Sequence, residues 1–329
     1  MADRLPDDPR WPRAGDWPAL PANPSSSGRE PLDLTLLGVP TWRTSLSPTG
    51  AHATPAAIRA ALRRYSPAIM PDRAAGAADD AASADDVATG IRDLAAVLAF
   101  ADAGDVDEPD GDAGEARARA EASAVLERSR TLVALGGDNS ATVPVALAAF
   151  GDDLARAGLV TLDAHHDLRD GRSNGSPVRR LIEAGLDPRR IVQVGIADFA
   201  NSAEYARMAR DLGITVVHRD ELHRRPIAEV MGEAFAIAGA AGGPIHVDLD
   251  VDVCDRAVVP ACPASVPGGL AAWELRAAAR AAGAHPAVRS VDLVEIDATA
   301  DAPDGRTVRL AALCVLDFAA GLASRPLVE

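Results

Sequence analysis

Two short segments hold the residue types best suited to chemistry. The first is DAHHDLRD, residues 163–170, where Asp163, His165 and Asp167 alternate. On an extended backbone alternate side chains share a face, so these three would converge while His166 points away. The second runs from His246 to Gly269 and places Asp248, Asp250, Asp252 and Asp255 within eight residues. Val247, Leu249, Val251 and Val253 alternate with them, which reads as strand. Carboxylates crowded at one place repel unless cations neutralise them, so the chemistry implied is that of a metal centre. Two plainer readings compete. A polar strand end capping a helix would account for 163–170. A calcium loop would account for the second segment, but its glycine and terminal glutamate are missing.

These acids need a frame. Short apolar runs recur at 32–39, 131–137, 159–167, 190–196, 214–218, 244–252 and 288–297. Their near-continuous apolar, β-branched character suits strands buried on both faces. Between them lie Ala/Arg/Glu-rich stretches with helical spacing, among them 53–65, 115–129, 225–241, 271–282 and 308–322. Strand–helix alternation along the whole chain predicts an α/β fold, a three-layer α/β/α sandwich around a mostly parallel sheet. Asp138, Asp163, His165, Asp167, Asp250, Asp252 and Glu295 then fall at or just past the C-terminal ends of four strands. That is the edge where open α/β sheets bind ligands.

The rest of the chain sets bounds. Its 329 residues, 48% hydrophobic, are ample for one catalytic domain over 31–329. Residues 1–30 are rich in Pro, Asp and Ser and read as a mobile or surface-draped arm. Residues 71–86 and 102–114 read as acidic loops flanking a helix over 87–100. The chain has no Lys and a net charge of −15, which argues against nucleic acid or an anionic membrane as partner. No apolar run approaches the roughly 18 residues of a membrane span. Three cysteines, Cys254, Cys262 and Cys314, form neither a disulfide framework nor a thiolate zinc pair. They read as buried small hydrophobes, and a cytoplasmic enzyme is expected.

At this point the motifs carry a resemblance. LGGDNS, DAHHD, SNGSP, DLDVDVCD and DLVEID occur in the order found in the ureohydrolase family, which includes arginase, agmatinase and formimidoylglutamase. GAHATPAAIR (50–59) is similar to that family's early helix, and the likeness runs from about residue 32 to the end. Such membership implies an arginase-like fold and two Mn2+ ions per subunit. Hard oxygen ligands with a single His also suit manganese better than zinc. The metal positions carried over are Asn139, Asp163, His165, Asp167, Asp250 and Asp252, with Asp248 where a Ser often stands. Glu295 matches the acid that holds the substrate's amidine or guanidine group. Two departures stand out. The family commonly has His where this chain has Asn139, a neutral oxygen ligand at best, which weakens one metal site. Agmatinase-like members also carry a His near Asn174, absent here.

DAHHDLR, SNGSPVR and the Cys262–Pro263 and Pro267–Gly269 segments most resemble bacterial formimidoylglutamases. That implies hydrolysis of N-formimidoyl-L-glutamate to glutamate and formamide, as in histidine degradation. Two cations sharing a water would lower its pKa towards neutrality. Glu295 would place the amidine carbon, and Asp167 would relay a proton to the leaving nitrogen. Asn174, Ser176 and Arg179 are the expected substrate contacts, with Arg179 favoured over Arg169, Arg172 and Arg180 for the glutamate carboxylate. A trimer or hexamer is implied by resemblance. The rival readings are an agmatinase or other guanidino hydrolase releasing urea, and a metal-poor non-catalytic relative.

Overall fold

In a computed structural model the chain is described over residues 8–21, 31–70 and 90–325. Eight strands form one sheet: β1 (Leu32–Val39), β4 (Phe100–Asp105), β5 (Ser129–Gly136), β6 (Gly158–Leu162), β7 (Ile191–Ile196), β8 (Thr215–His218), β9 (Ile245–Asp250) and β10 (Val288–Val294). Their order is β4-β1-β5-β10-β9-β6-β7-β8, and every ladder is parallel. A separate two-residue antiparallel pair joins β2 (Ala68–Ile69) to β3 (Arg92–Asp93).

Parallel strands need crossovers, and helices supply them on both faces. One face is covered by α1 (Thr54–Leu62), α8 (Ile227–Ala238), α9 (Ala272–Ala284) and α10 (Arg306–Leu322). The other carries α3 (Gly111–Leu126), α4 (Thr142–Phe150), α5 (Pro177–Ala184) and α6 (Ala203–Leu212). Two short helical turns, α2 (Leu94–Val97) and α7 (Arg219–Leu222), complete the set. The alternation within β1 shows the period: Leu34 and Leu36 join one core, Leu37 and Val39 the other. No helix among the described residues is long and apolar enough to cross a membrane.

Two expectations from sequence fail here. Of the helix expected over 87–100, residues 87–89 lie outside the described residues, and only Leu94–Val97 is helical. The acidic loop expected over 102–114 instead begins with β4 and ends with the start of α3. The strand escaped notice because FADAGD is polar, as befits an edge strand. Its acids are neutralised from α1, since Arg59 binds Asp102 at 2.7 Å and also pairs with Asp105. Residues 8–21 of the N-terminal arm lie against this same edge. Trp17 stacks on Phe100 with ring centroids 4.4 Å apart, and Asp102 exchanges backbone hydrogen bonds with Pro18 and Leu20. The 71–86 loop falls outside the described residues.

The sheet order decides where the site lies. From β5 the chain skips two positions, leaving a gap that β9 and β10 fill later. The four central strands β5, β10, β9 and β6 are therefore neighbours in space though scattered in sequence, and their C-terminal loops meet.

Candidate metal centre

Each central strand delivers acids to that meeting point. Asp163, His165 and Asp167 follow β6; Asp250 ends β9 and Asp252 lies just beyond; Asn139 follows β5; Glu295 follows β10. The expected alternation on extended backbone is not how they converge. β6 stops at Leu162, and 163–167 winds into a loop. In it the His165 amide donates to Asp163 Oδ1 at 2.6 Å, and Asp167 has a left-handed φ of 51°. Likewise Val251–Val253 is a 3-10 turn capped by Asp250, whose Oδ1 accepts from the Asp252 amide at 2.8 Å. Glu295 also has a left-handed φ, 61°. Two non-glycine residues forced into this region at one site mark backbone strain, which the surrounding packing must hold.

The side chains sort into two trios. In the first, Asp163, His165 and Asp252 bring ligand atoms within 4.8 Å of one another. His165 Nδ1 lies 2.7 Å from Asp252 Oδ2 and 3.4 Å from Asp163 Oδ1. The Ala164 amide donates to Asp252 Oδ1 at 2.9 Å, tying the two loops together. The acids are buried, while the His165 side chain keeps 28% of its surface exposed, so solvent reaches the trio from its side. In the second trio, Asn139 Nδ2 donates to Asp167 Oδ2 at 2.7 Å and to Asp250 Oδ2 at 3.2 Å.

Protein charges alone leave this centre short of cations. Burial, then the charge of Asp252, pushes Asp163 up to about 7. Burial alone would lower His165, but Asp252 and Asp163 outweigh it and hold the imidazole protonated up to about 12. Burial would raise Asp252 too, yet His165 brings it below the ordinary value, so Asp252 carries the charge that His165 answers. Asp167 and Asp250 form no ion pair among the described residues, and the charge of His165 that reaches Asp167 is outweighed. Burial and then the neighbouring acids drive both well above the carboxylate range.

A nitrogen and several hard oxygens in a strained, buried cluster with surplus negative charge fit a divalent cation. The first trio fits as placed. The second would offer the expected oxygen of Asn139 only with its side-chain amide turned over. Its amide presents NH2 to the acids, while its Oδ1 accepts from Thr142 Oγ1 at 2.6 Å. Because a hydroxyl both donates and accepts, Thr142 can hold the amide turned either way.

Glu295 stands beside the trios. Its Oε1 accepts from the Asn139 backbone N–H and from Asn174 Nδ2, each at 2.8 Å. Burial, then the charge of Asp138, pushes it up to about 8. The floor under Asn139 is tight: a Cβ on Gly137 would meet the Thr41 carbonyl oxygen at 1.9 Å, so only glycine lets the two loops approach.

The expected substrate contacts fare differently. Asn174 donates to Glu295 and accepts from the Leu46 amide at 3.0 Å, so both its groups are engaged and it aims Glu295. Ser176 is fully buried, and its Oγ closes the 173–176 turn through Ser173. Arg179 faces outward to Glu183 at 2.9 Å and to Asp170. Arg180 and Arg172 are taken by Glu115 and Asp112 on α3. Arg169 alone of the four has no ion pair among the described residues. Its stem packs over Gly175, where an added Cβ would meet Arg169 Cδ at 2.8 Å.

Some supporting residues gave no sequence signal. Asn201 accepts from the His166 amide and donates to the Ala164 carbonyl, fixing the 163–167 loop. Gln193 Oε1 meets His166 Nδ1 at 2.7 Å, so His166 is a buried support. Beneath Asp250, Asp248 pairs with Asp292, which His246 Nε2 approaches at 3.1 Å.

Comparison with known proteins agrees with this architecture. The arginase family model matches residues 32–321. The chain is 32% identical over 295 residues to a formimidoylglutamase of Halalkalibacterium halodurans, covering 87% of this chain and 86% of that one. It is 34% identical over 307 residues to a formimidoylglutamase of Halobacterium salinarum, covering 91% and 90%. Among solved structures, formimidoylglutamase from Bacillus subtilis superposes with a TM-score of 0.83 at 26% identity, covering 99% of this chain and 97% of that one. A Trypanosoma cruzi formiminoglutamase with Mn2+ shares the fold, with a TM-score of 0.77 at 24% identity and coverage of 92% and 97%. The chain belongs to the arginase family.

Proposed function

We propose that this protein hydrolyses a linear amidine, N-formimidoyl-L-glutamate, to L-glutamate and formamide, with two Mn2+ ions held by the two trios. The observation that carries the reading is Glu295, a buried carboxylate beside two acid trios, aimed by Asn139 and Asn174. An amidinium is cationic and planar, and a carboxylate so placed accepts its N–H groups. The likeness to formimidoylglutamases over most of the chain supports the choice of substrate. The ions, when bound, would supply Lewis acidity that lowers the pKa of water and offsets negative charge on oxygen.

The remaining work falls to side chains. Glu295 binds the amidinium and fixes its carbon; burial that disfavours its charge in isolation strengthens its grip on a cationic partner. Asp167 Oδ2 is held by Asn139, and its Oδ1 has no hydrogen bond among the described residues. Oδ1 is thus the atom that takes the proton released by water and returns it to the leaving nitrogen as the C–N bond breaks. Arg169, lying across the turn that carries Asn174, replaces Arg179 as the cation for the substrate's glutamate carboxylates.

Product analysis tests the reading. Mn-supplemented protein incubated with N-formimidoyl-L-glutamate will release formamide and glutamate in equal amounts. Urea released from agmatine or a guanidino acid, without formamide from the formimidoyl substrate, would move the activity to the guanidino class. No turnover of any of them by Mn-loaded protein would make the chain a non-catalytic relative.

A further inference from the structure

A cavity lies on the same rim, at the β7–β8 end. It encloses ≈ 490 Å³ and is lined by Asp198, His218, Arg219, Asp220, His223 and Gly268, among others. That volume suits a small ligand. Its unusual member is Arg219, only 6% exposed, which forms no ion pair among the described residues. Nη2 donates to the backbone carbonyls of Asp252 and Val253 at 3.4 and 3.1 Å, and Nε has no hydrogen-bond partner. A buried guanidinium without a carboxylate is costly unless something anionic meets it. Three acids have fields that reach it: Asp252 and Asp163 serve the metal centre, and the Asp255 carboxylate is taken by the Ala257 and Gly268 N–H groups. The other two charged lining residues, Asp198 and Asp220, are exposed acids that also form no ion pair among the described residues.

We propose that this cavity is a binding site for a zwitterionic α-amino acid. Its carboxylate meets the Arg219 guanidinium, whose planar fork matches a carboxylate. Its ammonium meets Asp198 and Asp220. A ligand with a carboxylate alone would satisfy the arginine but face both aspartates unscreened, so the lining selects zwitterions. The site is also wired to the metal centre, because Arg219 holds the 251–253 turn that carries Asp252. Linkage then requires that amino acid and metal alter each other's affinity by the same factor.

Calorimetric titration of the Mn-loaded protein with glycine, L-glutamate and glutarate tests this. Glycine and glutamate are expected to saturate one such site per chain, with glutarate at least about ten-fold weaker. Asp220→Asn is expected to weaken glycine about ten-fold and leave turnover of the formimidoyl substrate unchanged. Arg219→Lys is expected to abolish glycine binding; if that variant melts early, the Asp198→Asn, Asp220→Asn double variant carries the same test. Three results would overturn the proposal: no glycine binding, glutarate binding as tightly as glycine, or glycine binding indifferent to these substitutions. The last would leave Arg219 as a clamp on the 251–253 turn.

Discussion

The two trios differ in one residue type, and that difference organises the centre. In the first, the imidazolium of His165 answers the charge of Asp252, so the trio is partly neutral before any metal arrives. In the second, Asp167 and Asp250 hydrogen-bond to the amide of Asn139, which offers two N–H groups and no charge. A dipole satisfies hydrogen-bonding capacity but does not cancel a buried charge, so both acids are driven towards protonation. A metal entering the first trio displaces a proton from His165. A metal entering the second displaces protons from the acids and must also turn the amide. On the proposed two-ion reading, the second trio would be the weaker holder.

Several variants break or sharpen this contrast. The largest effect is expected from Asp252→Ala, which removes a carboxylate from the first trio and the acceptor that ties Ala164 to it. Turnover should fall about 10³-fold or more in steady-state assays with excess Mn2+, since several kcal/mol of charge stabilisation is lost. Asn174→Ala should be milder, about 10–100-fold in kcat/KM, because it frees Glu295 from one of two anchors and leaves the ions in place. An equal loss for the two would mean that Glu295, not the metals, dominates. Arg169→Met is expected to raise KM about ten-fold with kcat little changed, as loss of a carboxylate contact made equally in ground and transition states. Arg179→Met should leave both constants within about two-fold, since its partners are surface acids.

The smallest expected effect is on pH dependence. With protein charges alone, Asp163 and Glu295 hold protons up to about 7 and about 8. The unfolded chain releases them near pH 4. Raised folded-state values stabilise the fold fully below about pH 4, and that contribution is lost as pH climbs through 7 to 8. Asp252 works in the opposite sense and loses its contribution on acidification. Thermal melts of chelator-treated protein should therefore fall from pH 5 to 8.5. Added Mn2+ should flatten that slope by keeping the acids ionised at no cost to the fold.

Much of this was legible in the residues. The parallel sheet announced itself in β5, β9 and β10, whose near-continuous apolar runs leave no solvent face. The acids of both trios stood out because carboxylates rarely follow such strands without a cation to meet. What escaped had physical reasons. β4 is an edge strand, and its charges read as loop. The convergence at 163–167 depends on a left-handed Asp167 and on Asn201, thirty-odd positions away, which no local pattern reveals. Whether an arginine faces the site or an acid elsewhere is a tertiary matter, and it separated Arg169 from Arg179, Arg180 and Arg172. The orientation of the Asn139 amide depends on Thr142, one helical turn on, whose hydroxyl has no meaning until the fold places it.

The contrast between the trios is tested most directly by equilibrium titration of metal-stripped protein with Mn2+, comparing wild type with Asn139→His. Two ions per chain of unequal affinity are expected in the wild type. In the variant, an imidazole nitrogen replaces the amide, and the weaker site should tighten about ten-fold or more while the stronger is unchanged. A single class of site that Asn139→His leaves untouched, or a stronger site that shifts in its place, would contradict it.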